Sequence, residues 1–101
     1  MPTISSLVFS NHAQYERADR IALIDNVIGW GQIIKEAYYQ GAYHYITDTG
    51  VVLVVGDNRQ TILTLYLLTP KHMNITFKGN VPSHLTKKVA YYARMGWSYN
   101  Y

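Results

Sequence analysis

The chain contains no cysteine among its 101 residues. A disulfide framework, a thiolate zinc site and a cysteine nucleophile are therefore all excluded. The sequence also lacks an apolar run of the roughly 18 to 20 residues that cross a bilayer, and it lacks the basic flank and apolar stretch of a secretory signal. We expect a single soluble, cytoplasmic domain over residues 1–101 that does not engage a membrane.

Carboxylates are few, and they are absent from the last third of the chain. Residues 1–70 carry six acidic and four basic side chains, whereas residues 71–101 carry five basic side chains and no acidic one. The scattered carboxylates and the four separated histidines fit no metal-binding motif, and the glycine spacing fits no nucleotide-binding loop. We therefore expect neither a metal nor a cofactor.

The basic segment 71–101 is also rich in aromatic residues. Cations interleaved with aromatic rings suit a phosphate backbone with unstacked bases. This pattern predicts RNA as a partner, with contacts made by Lys87, Lys88, Tyr91 and Arg94. The alternative is that the rings pack the last helix onto the sheet while the lysines keep it soluble.

The predicted secondary structure changes from helices to strands at about Gln32. Before it, a short strand or arm to Val8 precedes two predicted helices, Asn11 to Arg20 with Ser10 as N-cap and Ala22 to Ile28. After it, the hydrophobic period changes toward two, and short turns rich in glycine, asparagine and aspartate separate the apolar runs. Four antiparallel strands are predicted: Ile33–Tyr39, Ala42–Thr47, Val51–Gly56 and Thr61–Leu68.

The chain after the strands predicts a further strand and a last helix. Pro70 ends the fourth strand, Asn74–Phe77 is predicted as an edge strand, and Ser83 is expected to cap a helix over His84–Met95 that Gly96 closes. The fold class is α+β. N-terminal helices pack on a four-stranded antiparallel sheet, five-stranded if Asn74–Phe77 joins it, with a C-terminal helix beside it.

A histidine and two arginines in the first predicted helix are the strongest chemical signal. His12, Glu16 and Arg20 follow each other at steps of four, and Arg17 and Arg20 are close enough to converge on one anion. An imidazole moves protons near neutral pH while guanidinium groups neutralise phosphate charge. The alternative is a solvated helix with a Glu16–Arg20 ion pair.

Three residues on the predicted strands complete a set for metal-free phosphodiester cleavage. Such a reaction needs a base, an acid and donors to the phosphate. His12 and His44 would be the acid and base, with Thr64 and Tyr66 as hydroxyl donors and the arginines as a clamp. The alternative is that His44, Thr64 and Tyr66 are ordinary strand residues; His72 and His84 are expected at the surface.

The order Phe-Ser-x-His-Ala-x-x-x-Arg-x-x-Arg-Ile, an apolar helix and a meander ending in Thr61–Tyr66 resembles the small toxin ribonucleases of the barnase, EndoU, colicin D and RelE type. The resemblance covers about residues 9–68. It implies two N-terminal helices on a four-stranded antiparallel sheet and metal-independent RNA cleavage. The positions that match are His12, Arg17, Arg20 and Thr64. The Gly29-Trp30-Gly31 segment and residues 70–101 depart from the pattern.

Two functions from different classes remain open at this point. One is a toxin-like ribonuclease restrained by an inhibitor or antitoxin. The other is a non-enzymatic phage or mobile-element protein that inhibits a host defence or nucleic-acid enzyme through its ten tyrosines and two tryptophans, because rigid amphipathic rings anchor interfaces. Pairing of an edge strand into a homo-oligomer is compatible with both. The ribonuclease hypothesis requires His12, an arginine and Thr64 in one cleft.

Overall fold

The computed structural model describes residues 2–98 as a sheet between two layers of helices. The five strands have the spatial order β1-β5-β4-β3-β2. Their bounds are β1 Val8–Phe9, β2 Ile33–Tyr39, β3 Ala42–Thr47, β4 Val51–Val55 and β5 Thr61–Leu67. The helices are α1 Asn11–Glu16, α2 Ala18–Leu23, α3 Pro70–Phe77 and α4 Ser83–Arg94, with a 3-10 turn at Ile4–Ser6 and a π-helical segment at Ile24–Ile28. No helix in this described range is long and apolar enough to span a bilayer.

The antiparallel meander predicted from the sequence is confirmed. Strands β2 to β5 pair antiparallel in chain order, and each predicted boundary lies within one residue of the observed one. Gln40 and Gly41 both have positive φ, 53° and 77°, which is the backbone of a two-residue turn matched to strand twist. As predicted, the apolar strand β4 is central and lies between β3 and β5.

The first predicted helix is interrupted, because Arg17 leaves the helical backbone with φ −124° and ψ 23°. Ser10 caps α1 as expected, its hydroxyl accepting a hydrogen bond from the Ala13 amide at 3.1 Å. The second helix begins at Ala18 and continues as the π-helical segment to Gly29. Because of the break at Arg17, the predicted ridge of His12, Glu16 and Arg20 is not continuous.

The fifth strand is formed by the N-terminal arm, and the prediction of a strand at Asn74–Phe77 is wrong. Strand β1 pairs in parallel with β5, so the sheet is mixed. Residues 74–77 belong to α3, whose N-cap is Thr69 and whose first position is Pro70. A threonine followed by proline is a helix-start signal, and here it outweighs the strand preference of Ile75, Thr76 and Phe77.

The last helix matches its prediction apart from its cap. The helix α4 begins at Ser83 itself, with Pro82 as the N-cap residue and no side-chain cap. Its predicted apolar row is buried, and it consists of Leu85, Val89 and Tyr92. Gly96 follows the helix with φ 72°, in the left-handed region that ends helices without steric cost for glycine.

The two faces of the sheet build two cores. The N-terminal face packs Tyr45, Leu53 and Leu65 against α1, α2 and the π-helical segment. The C-terminal face packs Ile46 and Val52, among others, against α3 and α4. Both faces of β4 are therefore buried, which explains its uninterrupted apolar sequence.

An irregularity in β5 sets which side chains share a face. Val54 pairs with Thr64 but Val55 pairs with Ile62, so Leu63 is an extra residue in β5. One extra residue reverses the alternation of side chains beyond it. Ile62 therefore lies in the N-terminal core, whereas Thr64 lines the C-terminal face.

Two glycines with similar backbones offer a matched test of local packing. A Cβ on Gly31, at φ 68°, would lie 2.0 Å from Asp48 Oδ1, the atom that accepts the Gln32 amide hydrogen bond; a Cβ on Gly41, at φ 77°, meets nothing within 4 Å. We expect Gly41→Ala to lower the free energy of unfolding by about 1–2 kcal/mol through backbone strain. Gly31→Ala is expected to cost roughly 1–3 kcal/mol more, because that hydrogen bond is displaced as well. Urea denaturation measures both, and equal losses would contradict the packing at Gly31.

Candidate active site

The helices α3 and α4 cover only part of the C-terminal face, and the uncovered part forms a cleft of about 170 Å³. The register places His44, Val54 and Thr64 in one row across β3, β4 and β5. With strands roughly 4.8 Å apart, the ends of this row are separated by about 10 Å at the backbone. The complete lining is Gln40, Ala42, His44, Val54, Thr64, Tyr66 and His72. The cleft therefore contains two imidazoles and two hydroxyl groups.

Both predicted arginines reach the exposed edge of β5. Pairing with β1 ends at Phe9 and Ile62, so the backbone of β5 beyond that point has no strand beside it. Arg20 donates from Nη1 to the Leu65 carbonyl at 2.8 Å, and Arg17 donates from Nε to Thr64 Oγ1 at 3.3 Å. The arginines replace a missing strand, and Arg17 thereby reaches the rim of the cleft.

The guanidinium group of Arg17 keeps donors available at that rim. Its Nη1 donates to the Glu16 carbonyl at 3.1 Å, while Nη2 makes no hydrogen bond within residues 2–98. A guanidinium group has five N–H donors in a planar fork that suits phosphate oxygens. Arg17 can therefore hold Thr64 and an anion at the same time.

His44 is fixed in one orientation and one tautomer. It is 4% exposed, and its ring stacks on Tyr39 with centroids 3.9 Å apart. Its Nδ1 lies 3.1 Å from the Ala42 carbonyl, which can only accept, so Nδ1 carries the proton in the neutral ring. The lone pair is therefore on Nε2, the nitrogen that a general base would use.

His72 is the residue that sequence reasoning missed. It was expected at the surface, but α3 carries it over the sheet, half-buried, with its ring centroid 5.6 Å from that of Tyr66. Its Nδ1 lies 3.1 Å from Thr69 Oγ1, the hydroxyl that caps the same helix. The Thr69-Pro70 helix start was the available signal, because a helix from Pro70 places His72 in its first turn.

Tyr66 connects the floor of the cleft to the second strand of the sheet. It is buried, and its hydroxyl lies 3.3 Å from the hydroxyl of Tyr39. The ring of Tyr39 in turn stacks on His44. Hydroxyl and imidazole positions in the cleft are therefore coupled through packed rings.

His12 lies apart from this cleft, so the prediction that His12, an arginine and Thr64 share one cleft is wrong for His12. The second imidazole of the cleft is that of His72 instead. His12 is exposed on α1, it is not among the cleft's lining residues, and its side chain makes no hydrogen bond or ion pair in the part of the chain described. The structure thus brings Arg17, His44, Thr64 and Tyr66 to one place, with Arg20 beside them on the strand edge. His84 is exposed at the start of α4, as expected.

Both cleft histidines favour the neutral form. Burial lowers the pKa of His44, and the nearby His72 lowers it further against the opposing Ala42 hydrogen bond. Burial also lowers the pKa of His72, with a smaller contribution from the charge of Lys71. A neutral imidazole at neutral pH is the form that accepts a proton.

These lowered pKa values should appear in the stability of the protein. The unfolded imidazole takes up its proton near pH 6.5, while folded His44 resists it, so the free energy of unfolding should fall as pH drops below about 6.5. His44→Gln removes this titrating group, so the slope of the unfolding free energy against pH should decrease by at most about 1.4 kcal/mol per pH unit. Urea denaturation from pH 7.5 to 5.5 measures the slope. An unaltered slope in His44→Gln would contradict a proton-resistant His44.

The four predicted nucleic-acid contacts lie on the exposed side of α4, at the opposite end of the sheet from the cleft. Lys87, Lys88 and Tyr91 line a groove of about 410 Å³ between α4 and the π-helical segment. The Cζ atom of Arg94 lies 5.7 Å from the centroid of the Tyr91 ring. The last three residues of the basic aromatic segment, 99–101, lie outside the described residues.

The most exposed tyrosines among residues 2–98 lie on three different elements. Tyr15, Tyr38 and Tyr91 lie on α1, β2 and α4 respectively. Among residues 2–98, no three histidine, aspartate or glutamate side chains come together as metal ligands.

No protein-family model, curated protein or solved structure matches the chain. The likeness to the small toxin ribonucleases stays a prediction.

Proposed function

We propose that the chain is a metal-independent RNA-cleaving domain whose reaction takes place in the cleft of the C-terminal face. The observation that carries this proposal is the contact of Arg17 with Thr64 at the rim of a cleft that also contains His44 and His72. Charge neutralisation, hydroxyl donors and two proton-transferring groups are what transfer of a phosphodiester requires.

The chemistry follows from the positions of these groups. His44 Nε2 takes the proton of the ribose 2′-hydroxyl, and the oxygen forms a bond to phosphorus. The bond from phosphorus to the 5′-oxygen breaks, and that oxygen receives a proton from the imidazolium form of His72, which the lowered pKa makes the minor form at neutral pH. The products are a 2′,3′-cyclic phosphate and a free 5′-hydroxyl, with no net change in protons on the pair of histidines once both are reset by solvent.

The remaining groups bind the reacting phosphate. Arg17 and the hydroxyl of Thr64 donate to its non-bridging oxygens, where negative charge accumulates in the transition state. The Tyr66 hydroxyl, held by Tyr39, is a third donor. A cleft of about 170 Å³ admits the phosphate and its ester oxygens rather than a whole nucleotide, so the flanking bases would lie outside it.

The experiment that tests this function uses an oligoribonucleotide in EDTA. We expect cleavage by the wild-type protein with accumulation of 2′,3′-cyclic phosphate ends. The same sequence with 2′-deoxyribose throughout should remain intact, because it lacks the attacking hydroxyl. Cleavage of the 2′-deoxy oligonucleotide as well as the RNA, or loss of activity in EDTA, would contradict the proposed mechanism.

A further inference from the structure

The groove between α4 and the π-helical segment is a second surface with a composition of its own. Its floor and walls are apolar or aromatic, and the two lysines Lys87 and Lys88 line the same space. A volume of about 410 Å³ is within the range of small-molecule and cofactor sites. It lies away from the cleft and shares no lining residue with it.

The positions along α4 explain why cations and rings meet here. Lys87, Tyr91 and Arg94 follow at steps of four and three and so form one ridge, with Lys88 beside Tyr91 on the next. This ridge is opposite the buried row of the helix, and its side chains are exposed. Lys87, Lys88 and Arg94 form no ion pair within residues 2–98, and residues 71–101 carry no acidic side chain.

The end of α4 adds a second ring. The positive φ of Gly96 reverses the chain, and the Trp97 amide then donates to the Tyr92 carbonyl at 3.0 Å. This places the Trp97 ring edge-on to Tyr91, with centroids 5.7 Å apart and planes at 79°. Tyr91 remains 44% exposed, so an aromatic surface is open to solvent beside the cations.

The facing wall is apolar and carries no charge of its own. Val27 is 62% exposed, and Ile28 lies next to it. The nearest carboxylate along this wall, that of Asp25, accepts a hydrogen bond from the indole of Trp30. An anionic ligand with a flat apolar part would thus meet apolar groups on one side and cations with aromatic rings on the other.

We infer that this groove binds single-stranded RNA, with an unstacked base against Tyr91 and Trp97 and the adjoining phosphates on Lys87, Lys88 and Arg94. The inference rests on the proposed function for the identity of the nucleic acid. Stacking on aromatic rings and salt-dependent contacts to phosphate are the two interactions that proteins use for single strands. An acidic peptide would satisfy the cations but leave the rings without a planar partner, so RNA is the occupant that uses the whole groove.

The test separates binding from cleavage by using a labelled 2′-O-methyl octaribonucleotide, which has no 2′-hydroxyl proton and is not cut. Fluorescence anisotropy at several salt concentrations gives the Kd and its salt dependence. We expect Lys88→Gln to raise the Kd about 3- to 10-fold and to reduce the slope of log Kd against log salt by about one. Lys78→Gln, which removes the same charge from an exposed position outside the groove, should change the Kd by less than about twofold.

The aromatic contribution has its own pair of variants. Tyr91→Leu should raise the Kd roughly 5- to 100-fold with an unchanged salt slope, while Tyr91→Phe, which keeps the ring, should bind like the wild type. The inference is overturned if Lys78→Gln and Lys88→Gln weaken binding equally, if Tyr91→Leu binds normally, or if a hexaglutamate peptide competes as well as unlabelled RNA. If the wild-type protein cleaves RNA but the groove variants bind RNA normally, the groove inference alone is overturned. If binding depends on the groove but the wild-type protein cleaves no RNA, the proposed function alone is overturned.

Discussion

Arg17→Ala should lower the rate of RNA cleavage by about 10²- to 10³-fold, the usual effect of removing a preorganised donor to an oxyanion. The side chain is expected to act on the phosphate through the donors that its contacts with Thr64 and Glu16 leave available. Arg17→Lys retains the charge but not the planar fork, so it should recover only part of the rate. The measurement is single-turnover cleavage of an oligoribonucleotide in EDTA.

The matched control for this variant is Arg59→Ala. Arg59 is an exposed arginine whose guanidinium group contacts Tyr43 at 3.0 Å and Glu36 at 3.8 Å, away from the cleft. The Arg59→Ala protein should cleave RNA at the wild-type rate. Equal losses in the two variants would mean that general positive charge, rather than Arg17 in its observed place, supports the reaction. Thermal denaturation of both proteins shows whether any loss reflects unfolding.

The same assay tests the two cleft histidines against His12. His44→Gln and His72→Gln should each lose rate, because proton transfer contributes about 10²- to 10⁴-fold. His12 was the base or acid suggested by the sequence, and the resemblance to toxin ribonucleases points to it as well. A loss in His12→Gln with normal activity in His44→Gln would place the reaction on α1 and contradict the cleft.

Leu53→Ala should have the largest effect on stability, lowering the free energy of unfolding by roughly 3–5 kcal/mol. Leu53 is 0% exposed in the central strand, with Tyr45 and Leu65 as its cross-strand partners. Truncation removes apolar burial and leaves a cavity in close-packed surroundings that relax only in part. For a domain of this size, such a loss is a large fraction of the total stability.

Leu63→Ala is the same chemical change at a position where little stability should be lost. Leu63 is the extra residue of β5 and is 42% exposed, so we expect a decrease below about 1 kcal/mol. Chemical denaturation followed by circular dichroism compares the two variants. Similar losses at both positions would contradict the register of β5 beyond the irregularity.

The meander could be predicted from sequence because its information is local. Alternating hydrophobicity and turns such as Gln40-Gly41 and Asp48-Thr49-Gly50 determine strands that pair with their neighbours in the chain. The same local reasoning failed at Ile75-Thr76-Phe77, since strand-forming residues there follow a strong helix start at Thr69-Pro70. The helix cap and the burial of Met73 and Phe77 in the C-terminal core outweigh the strand propensity of these residues.

The cleft was only partly predictable, because it depends on contacts between distant segments. Arg17 and Thr64 lie 47 residues apart, and the sequence grouped them only by the chemistry of their side chains and by the resemblance to a ribonuclease family. The helix start at Thr69-Pro70 indicates that His72 lies in the first turn of α3, but the packing of α3 over the sheet, which brings His72 to the cleft, depends on distant contacts. The extra residue Leu63 likewise separates the faces of Ile62 and Thr64, which strict alternation along β5 would have placed on one side.

The parallel pairing of β1 with β5 has a consequence for how the chain folds. Strands β2 to β5 close short loops, whereas Val8 pairs with Thr61, about half the chain away. Loop-closure entropy makes such a long-range pairing costly until the meander exists to receive it. We therefore expect the N-terminal strand to dock last during refolding and its amide protons to exchange with solvent sooner than those of β4. Because α1 and α2 follow directly from β1, Arg17 would reach the edge of β5 only in this final step, so that the sheet forms before the candidate active site does.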